Sequence, residues 1–189
     1  MHGEEEGAAP AGAAARWIVD PIDGTKSYVR GIPVYATLIA LERDGAGVLG
    51  LVSAPALGRR WWAARGEGAF ANGEPIRVSR IGRLEDALVS YTSMRVFRER
   101  GLGLDAVAGR AWAARGFPDF WQHMLVAEGS VDAAFEAIVA LWDVAAVQVI
   151  VEEAGGRFSD LSGAPTPDGG DCLTSNGLLH EEILALLGA

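Results

Sequence analysis

The sequence holds a single cysteine, Cys172, in 189 residues. An internal disulfide is therefore excluded, and this usage fits a reducing cytoplasm. Long apolar stretches are absent as well. The run from Val34 to Leu41 is typical of the longest, far short of the ~20 residues of a membrane span. No basic region opens the chain; Glu4, Glu5 and Glu6 stand there instead, which argues against a secretory signal. Lysine and arginine total 16 against 25 acidic residues, a formal charge of −9. Such a surface repels nucleic-acid backbones. It also repels phosphorylated metabolites unless bound cations offset it, so phosphate chemistry here would call for metal. Only three histidines occur, His2, His123 and His180. They share no metal-ligand spacing, support no Ser-His-Asp or Cys-His arrangement, and are read as structural or surface residues.

What is present alternates between β and α patterns. Gly7 to Ala15 reads as a flexible surface loop. Arg16 to Val19 predicts a short buried strand running into the turn formers Asp20-Pro21-Ile22-Asp23-Gly24-Thr25. Val34 to Glu42, Val48 to Ser53 and Arg60 to Ala64 predict an antiparallel meander, and Asn72-Gly73 its hairpin turn. Gly66-x-Gly68 precedes no helix, so it is a turn and not a dinucleotide motif. Leu88 to Tyr91 and Val131 to Phe135 predict strands, as do Arg157 to Ser159 and Cys172 to Thr174. Helices are predicted over Leu102 to Ala114, Phe120 to Ala127, Asp143 to Ala154 and Leu178 to Leu187. Val144, Val147, Val151 and Ala154 share a face of the third, and Gly155-Gly156 stops it. No linker divides two independent domains, so residues 1–189 read as one mixed α/β domain. Residues 1–95 would form mainly a β-meander lobe and 96–189 an α/β lobe.

Asp20 and Asp23 follow a strand, three residues apart, where mixed α/β folds often bind ligands. Pro21 stiffens the turn, Gly24 permits close approach of a ligand, and Thr25 adds a hydroxyl. A short helix starting here would aim the Gly24 and Thr25 amides at an anion. With the Ile22 carbonyl, these groups would suit a hard divalent cation plus phosphate. An Asp-rich loop with an N-cap accounts for the same spacing. Asp143, at the head of the strongest helix, reads by itself as a cap with Trp142 as a staple, and one carboxylate oxygen can cap while the other ligates.

Taken together these segments resemble the inositol-monophosphatase-like family of Mg²⁺-dependent phosphatases. Asp20-Pro21-Ile22-Asp23-Gly24-Thr25 resembles its first metal motif, and Trp142-Asp143-Val144-Ala145-Ala146 its second. Gly66-Glu67-Gly68-Ala69-Phe70-x-Asn72-Gly73 resembles its hairpin, and Gly3-Glu4-Glu5 the motif donating a further metal-binding Glu. Lys26 to Val34 and Asp119-Phe120-Trp121 look most like its histidinol-phosphatase branch, which acts in histidine biosynthesis.

The resemblance implies a layered α-β-α-β-α sandwich and two or three Mg²⁺ ions. Glu4, Asp20 and the Ile22 carbonyl would hold one ion; Asp20, Asp23 and Asp143 would share a second. Thr25, Asp23 and Glu4 would be the catalytic residues, Thr25 by helping to orient the water. The Gly24 and Thr25 amides would bind phosphate, beside Asp143. Glu136, seven residues before Asp143, would contact the organic part of a small phosphorylated metabolite. It reads otherwise as a solvated strand end. Dimers are usual in the family, so a homodimer is possible here too.

Family members carry some tens of residues ahead of the Gly-Glu-Glu motif, forming two helices and supplying an Asp that pairs with the position of Thr25. Here Met1 lies two residues before Gly3. The expectation is a sandwich lacking its first helical layer, with one sheet face uncovered. Two alternatives to the histidinol-phosphate reading stand beside it. One is an inositol-phosphate or broad sugar-phosphate phosphatase. The other is an inactive truncated remnant acting through association.

Overall fold

The computed structural model describes residues 14–188, together with the backbone of His2 and Gly3. Among these residues the chain forms two sheets with helices between and beyond them. Strand β1 (His2–Gly3) pairs parallel with β2 (Ala15–Asp23). From β2 the chain passes through α1 (Thr25–Val29) into an antiparallel meander. Its strands are β3 (Ala36–Arg43), β4 (Ala46–Ala54), β5 (Arg59–Ala64), β6 (Gly68–Ala71) and β7 (Glu74–Ile76). All seven strands stand in sequence order in the first sheet.

A second sheet has the order β11-β12-β10-β8-β9. It comprises β8 (Leu88–Tyr91), β9 (Ala113–Arg115), β10 (Ala133–Glu136), β11 (Arg157–Ser159) and β12 (Cys172–Ser175). The remaining helices are α2 (Met94–Glu99), α3 (Leu104–Arg110), α4 (Asp119–Ala127), α5 (Leu141–Glu153) and α6 (His180–Leu187).

Helix α5 lies between the sheets. It packs on β2 through β6 on one side and on β11 and β12 on the other, with α4 beside it. That placement corrects the one-faced pattern inferred above. Ala145, Ala146, Val149 and Ile150 are buried along with Val144, Val147 and Val151. A helix enclosed by two sheets has no wet side to reserve for polar residues. The inner face of the first sheet is built small to receive it: Ala40, Gly50 and Ala63 are paired neighbours across β3, β4 and β5. A Cβ on Gly50 would lie 2.4 Å from the Ala146 carbonyl oxygen. The outer face carries the cross-strand row Val19, Ile39, Leu51, Trp62 and Phe70, half-exposed. Beyond the second sheet, α2, α3 and α6 close a separate apolar cluster around Phe97, Phe135, Leu173 and Ile183.

Three elements depart from the sequence expectations. The helix read over Leu102 to Ala114 stops at Arg110, and Ala113–Arg115 instead adds a parallel edge strand to β8. Alanine favours helix on propensity, but an available sheet edge outweighs it. Helix α2 was not foreseen; it has six residues and buries only Phe97, too little for a periodic signal. Helix α5 begins at Leu141, so Asp143 is not its cap residue and Trp142 lies inside the first turn.

His180 is fully buried at the head of α6. Ser159 Oγ donates to the Asp160 carbonyl, 2.6 Å, so it accepts from His180 Nε2, 2.9 Å away. Nδ1 then accepts from Ser175 Oγ at 2.8 Å. Both nitrogens are satisfied in the neutral ring. Burial, aided by the Arg157 charge, lowers its pKa from 6.5 to about 4.

Two outcomes are expected. Gly50→Ala forces α5 off the sheet and should cost roughly 1–3 kcal/mol, read from the urea midpoint. For His180 the unfolded chain binds the proton more readily, so its contribution is full above pH 6.5 and fades as pH falls toward 4. The stability gap between wild type and His180→Gln should narrow by roughly 1–2 kcal/mol from pH 8 to pH 5. A constant gap would contradict this.

Candidate metal and phosphate site

The site forms where β2 ends against α4 and α5. Pairing of β2 with β3 runs in register to Asp20, then shifts before Asp23. This irregularity lets two carboxylates three positions apart reach one place, where a regular strand would aim them at opposite faces. The Asp20 and Asp23 carboxylates thus lie within the strand rather than after it. Asp20 is buried, and its Oδ1 accepts from the Ile22 amide at 2.9 Å. Asp23 Oδ2 accepts from the Phe120 amide at 2.8 Å, tying β2 to the start of α4. Asp143 Oδ2 accepts from the Ala140 amide at 2.8 Å across the first turn of α5.

One oxygen from each of Asp20, Asp23 and Asp143 lies within 4.8 Å of the other two. Like charges this close are costly. Burial first, then the charges of Asp119, Asp20 and Glu136, push the Asp23 carboxyl well above the ordinary range, although the Phe120 amide opposes the shift. A hard divalent cation fits this donor set: the ligands are all oxygen, their charges need neutralising, and they are already gathered.

Thr25 Oγ1 donates to the Ile22 carbonyl at 2.9 Å, so this carbonyl and hydroxyl, both expected at the site, are neighbours. Gly24 has φ of 78°, and a Cβ there would meet the Val34 carbonyl oxygen at 2.8 Å and Asp119 Oδ2 at 3.2 Å. Only glycine meets both demands. Gly3 pairs opposite Val19, one residue before Asp20; Glu4 itself lies outside the described residues.

Asp23 and Asp143 border a cleft of about 350 Å³, lined also by Lys26, Thr92, Ser93, Arg95, Asp119, Glu136 and Ile138. Lys26 is the only lysine in the sequence. Four acids (Asp23, Asp119, Glu136, Asp143) face two basic side chains here, so a phosphate dianion is repelled unless cations join it. Burial, then Glu136, raises the Asp119 carboxyl, against Lys26 and His123. Glu136 is no solvated strand end: its side chain is 13% exposed and bonded to His123 Nε2 at 2.9 Å. Sequence reasoning missed the His123 contact and the cleft roles of Lys26 and Asp119. His123 and Glu136 are joined only by the packing of α4 on β10, which leaves no spacing to detect.

The Inositol monophosphatase family matches residues 1–189. The chain is 48% identical to the histidinol-phosphatase of Streptomyces coelicolor, over 99% of this chain and 74% of that protein. It is also 48% identical to the histidinol-phosphatase of Mycobacterium tuberculosis, over 99% and 75%. Among solved structures, an inositol monophosphatase from Zymomonas mobilis superposes with a TM-score of 0.91 at 28% identity, covering all of this chain and 75% of that one. The Thermotoga maritima IMPase gives 0.88 at 34% identity, covering 98% and 72%.

Asp20→Asn keeps an Oδ1 for the Ile22 amide but removes one of the crowded charges. Without divalent cations, its melting temperature should equal or exceed that of wild type. With Mg²⁺ at about 100 times its Kd, wild type should gain about 2.7 kcal/mol of stability, and the variant much less. An equal gain in both proteins would remove Asp20 from the metal site.

Proposed function

Because the chain belongs to the inositol monophosphatase family, we propose that it is a Mg²⁺-dependent phosphomonoester hydrolase that releases inorganic phosphate from histidinol phosphate. The observation that carries the hydrolase reading is the meeting of Asp20, Asp23 and Asp143 within 4.8 Å at the edge of a substrate-sized cleft. The substrate reading draws on the two histidinol-phosphatases at 48% identity, and on the acids that line the cleft wall.

Asp20, Asp23 and Asp143 would hold the cations, with Glu4 and the Ile22 carbonyl as further oxygen donors. When bound, such cations polarise phosphoryl oxygens, lower the pKa of a water and offset charge on the leaving oxygen. The protein's own groups do the rest by position. Asp23 is anchored at the head of α4 and Asp143 across the first turn of α5, so the site is organised before substrate arrives. The amides of Gly24 and Thr25, where β2 turns into α1, would receive phosphate oxygens. Thr25, whose hydroxyl points to the Ile22 carbonyl, would orient the attacking water. Attack on phosphorus opposite the ester oxygen breaks the P–O bond, and the alcohol leaves with a proton from solvent or from the site. Asp119 and Glu136 would face the organic part of the substrate, and two carboxylates favour a cationic alcohol over a neutral polyol.

A substrate panel in Mg²⁺ tests this. Each charge-assisted hydrogen bond contributes about 1.5–3 kcal/mol. The kcat/KM for L-histidinol phosphate should therefore exceed that for myo-inositol 1-phosphate by roughly tenfold or more. The opposite order would assign the site to polyol phosphates.

A further inference from the structure

The cleft contains an acid that is held in place by a buried histidine. His123, on α4, is 1% exposed. Its Nε2 lies 2.9 Å from Glu136 Oε1, and its Nδ1 lies 2.8 Å from Thr174 Oγ1. A carboxylate oxygen only accepts, so Nε2 carries the proton of that bond. The Thr174 hydroxyl, on β12, also lies 3.3 Å from the Ala134 carbonyl of β10. The imidazole is therefore fastened at both nitrogens. Turning the ring would break both contacts inside a packed interior.

Glu136 needs such a brace. It lines the same cleft as Asp119, and repulsion between the two is among the causes that raise the Asp119 carboxyl. A free glutamate side chain would swing away from that charge into solvent. Holding a long side chain in one rotamer costs up to about 2 kcal/mol, and a hydrogen bond to a charged group is worth about 1.5–3 kcal/mol. The His123 bond is thus large enough to decide where the carboxylate sits. Asp119 needs no such brace, because its backbone (φ 51°) is fixed between Pro118 and the Phe120 amide bonded to Asp23.

We propose that His123 is a positioning residue for substrate selection, holding Glu136 so that it and Asp119 present two carboxylates to a cationic leaving group. The proposal rests on the substrate reading above and adds the residue that enforces it. A histidine that only filled the core would affect every substrate alike.

Two replacements of similar size separate the contacts. His123→Gln places an amide nitrogen near the Nε2 position and retains a donor to Glu136. His123→Asn reaches toward Thr174 but is too short for Glu136. For L-histidinol phosphate, His123→Asn should raise KM roughly tenfold, and His123→Gln less than about threefold. For 4-nitrophenyl phosphate, which has no cation, kcat/KM should change less than about threefold in both. Glu136→Gln combined with His123→Asn should lose no more than Glu136→Gln alone. Equal losses on both substrates, or equal KM values for Asn and Gln, would overturn the proposal while leaving the substrate reading intact. Wild-type indifference between the two phosphates would overturn both.

Discussion

Three carboxylates held within 4.8 Å repel one another, and the rest of the molecule has to keep them together. The restraint is steric. Helix α5 is enclosed by two sheets and cannot move without opening both. Its first turn carries Asp143, while β2, one of the strands it packs on, carries Asp20 and Asp23. The small residues Ala40, Gly50 and Ala63 bring helix and sheet into close contact, and that fixes the approach of the two acid-bearing segments. Apolar burial at about 1.5–3 kcal/mol per large aliphatic side chain is the source of free energy that offsets the repulsion.

Hydrogen bonds then turn gathered charge into a defined site. Each acid is tied to a backbone amide: Asp20 to Ile22, Asp23 to Phe120 and Asp143 to Ala140. Each of these bonds uses only part of its carboxylate's accepting capacity. The bond from Asp23 to Phe120 has a further consequence. It joins the three-aspartate cluster to α4, the helix that also bears Asp119 and His123. The acids proposed to hold the cation and those proposed to face the leaving group are therefore linked through one helix.

Much of this was legible beforehand. Branched and apolar runs and the Asn72-Gly73 turn marked the meander, because that turn demands residues that tolerate positive φ, as Asn72 and Gly73 do here. The strong helix near Asp143 was legible from composition and its glycine stop. The fate of Leu102 to Ala114 was not. A run rich in alanine carries helix propensity, yet its last two residues, Ala113 and Ala114, pair at a sheet edge that local sequence does not reveal. The short α2 escaped for lack of a periodic face. His123 showed no motif because its partners Glu136 and Thr174 come from two separate strands.

The sequence by itself determined which chemistry was possible: acids of the right type at Asp20, Asp23 and Asp143, glycine at Gly24, and an acidic balance that makes phosphate unwelcome without cations. Those are properties of side chains and of local backbone freedom, and they are written residue by residue. The tertiary structure alone decided that a register shift turns Asp20 and Asp23 toward one point, that α5 delivers Asp143 to it, and that a buried imidazole fastens Glu136. Each of these depends on how distant segments pack, and packing is a property of the whole chain.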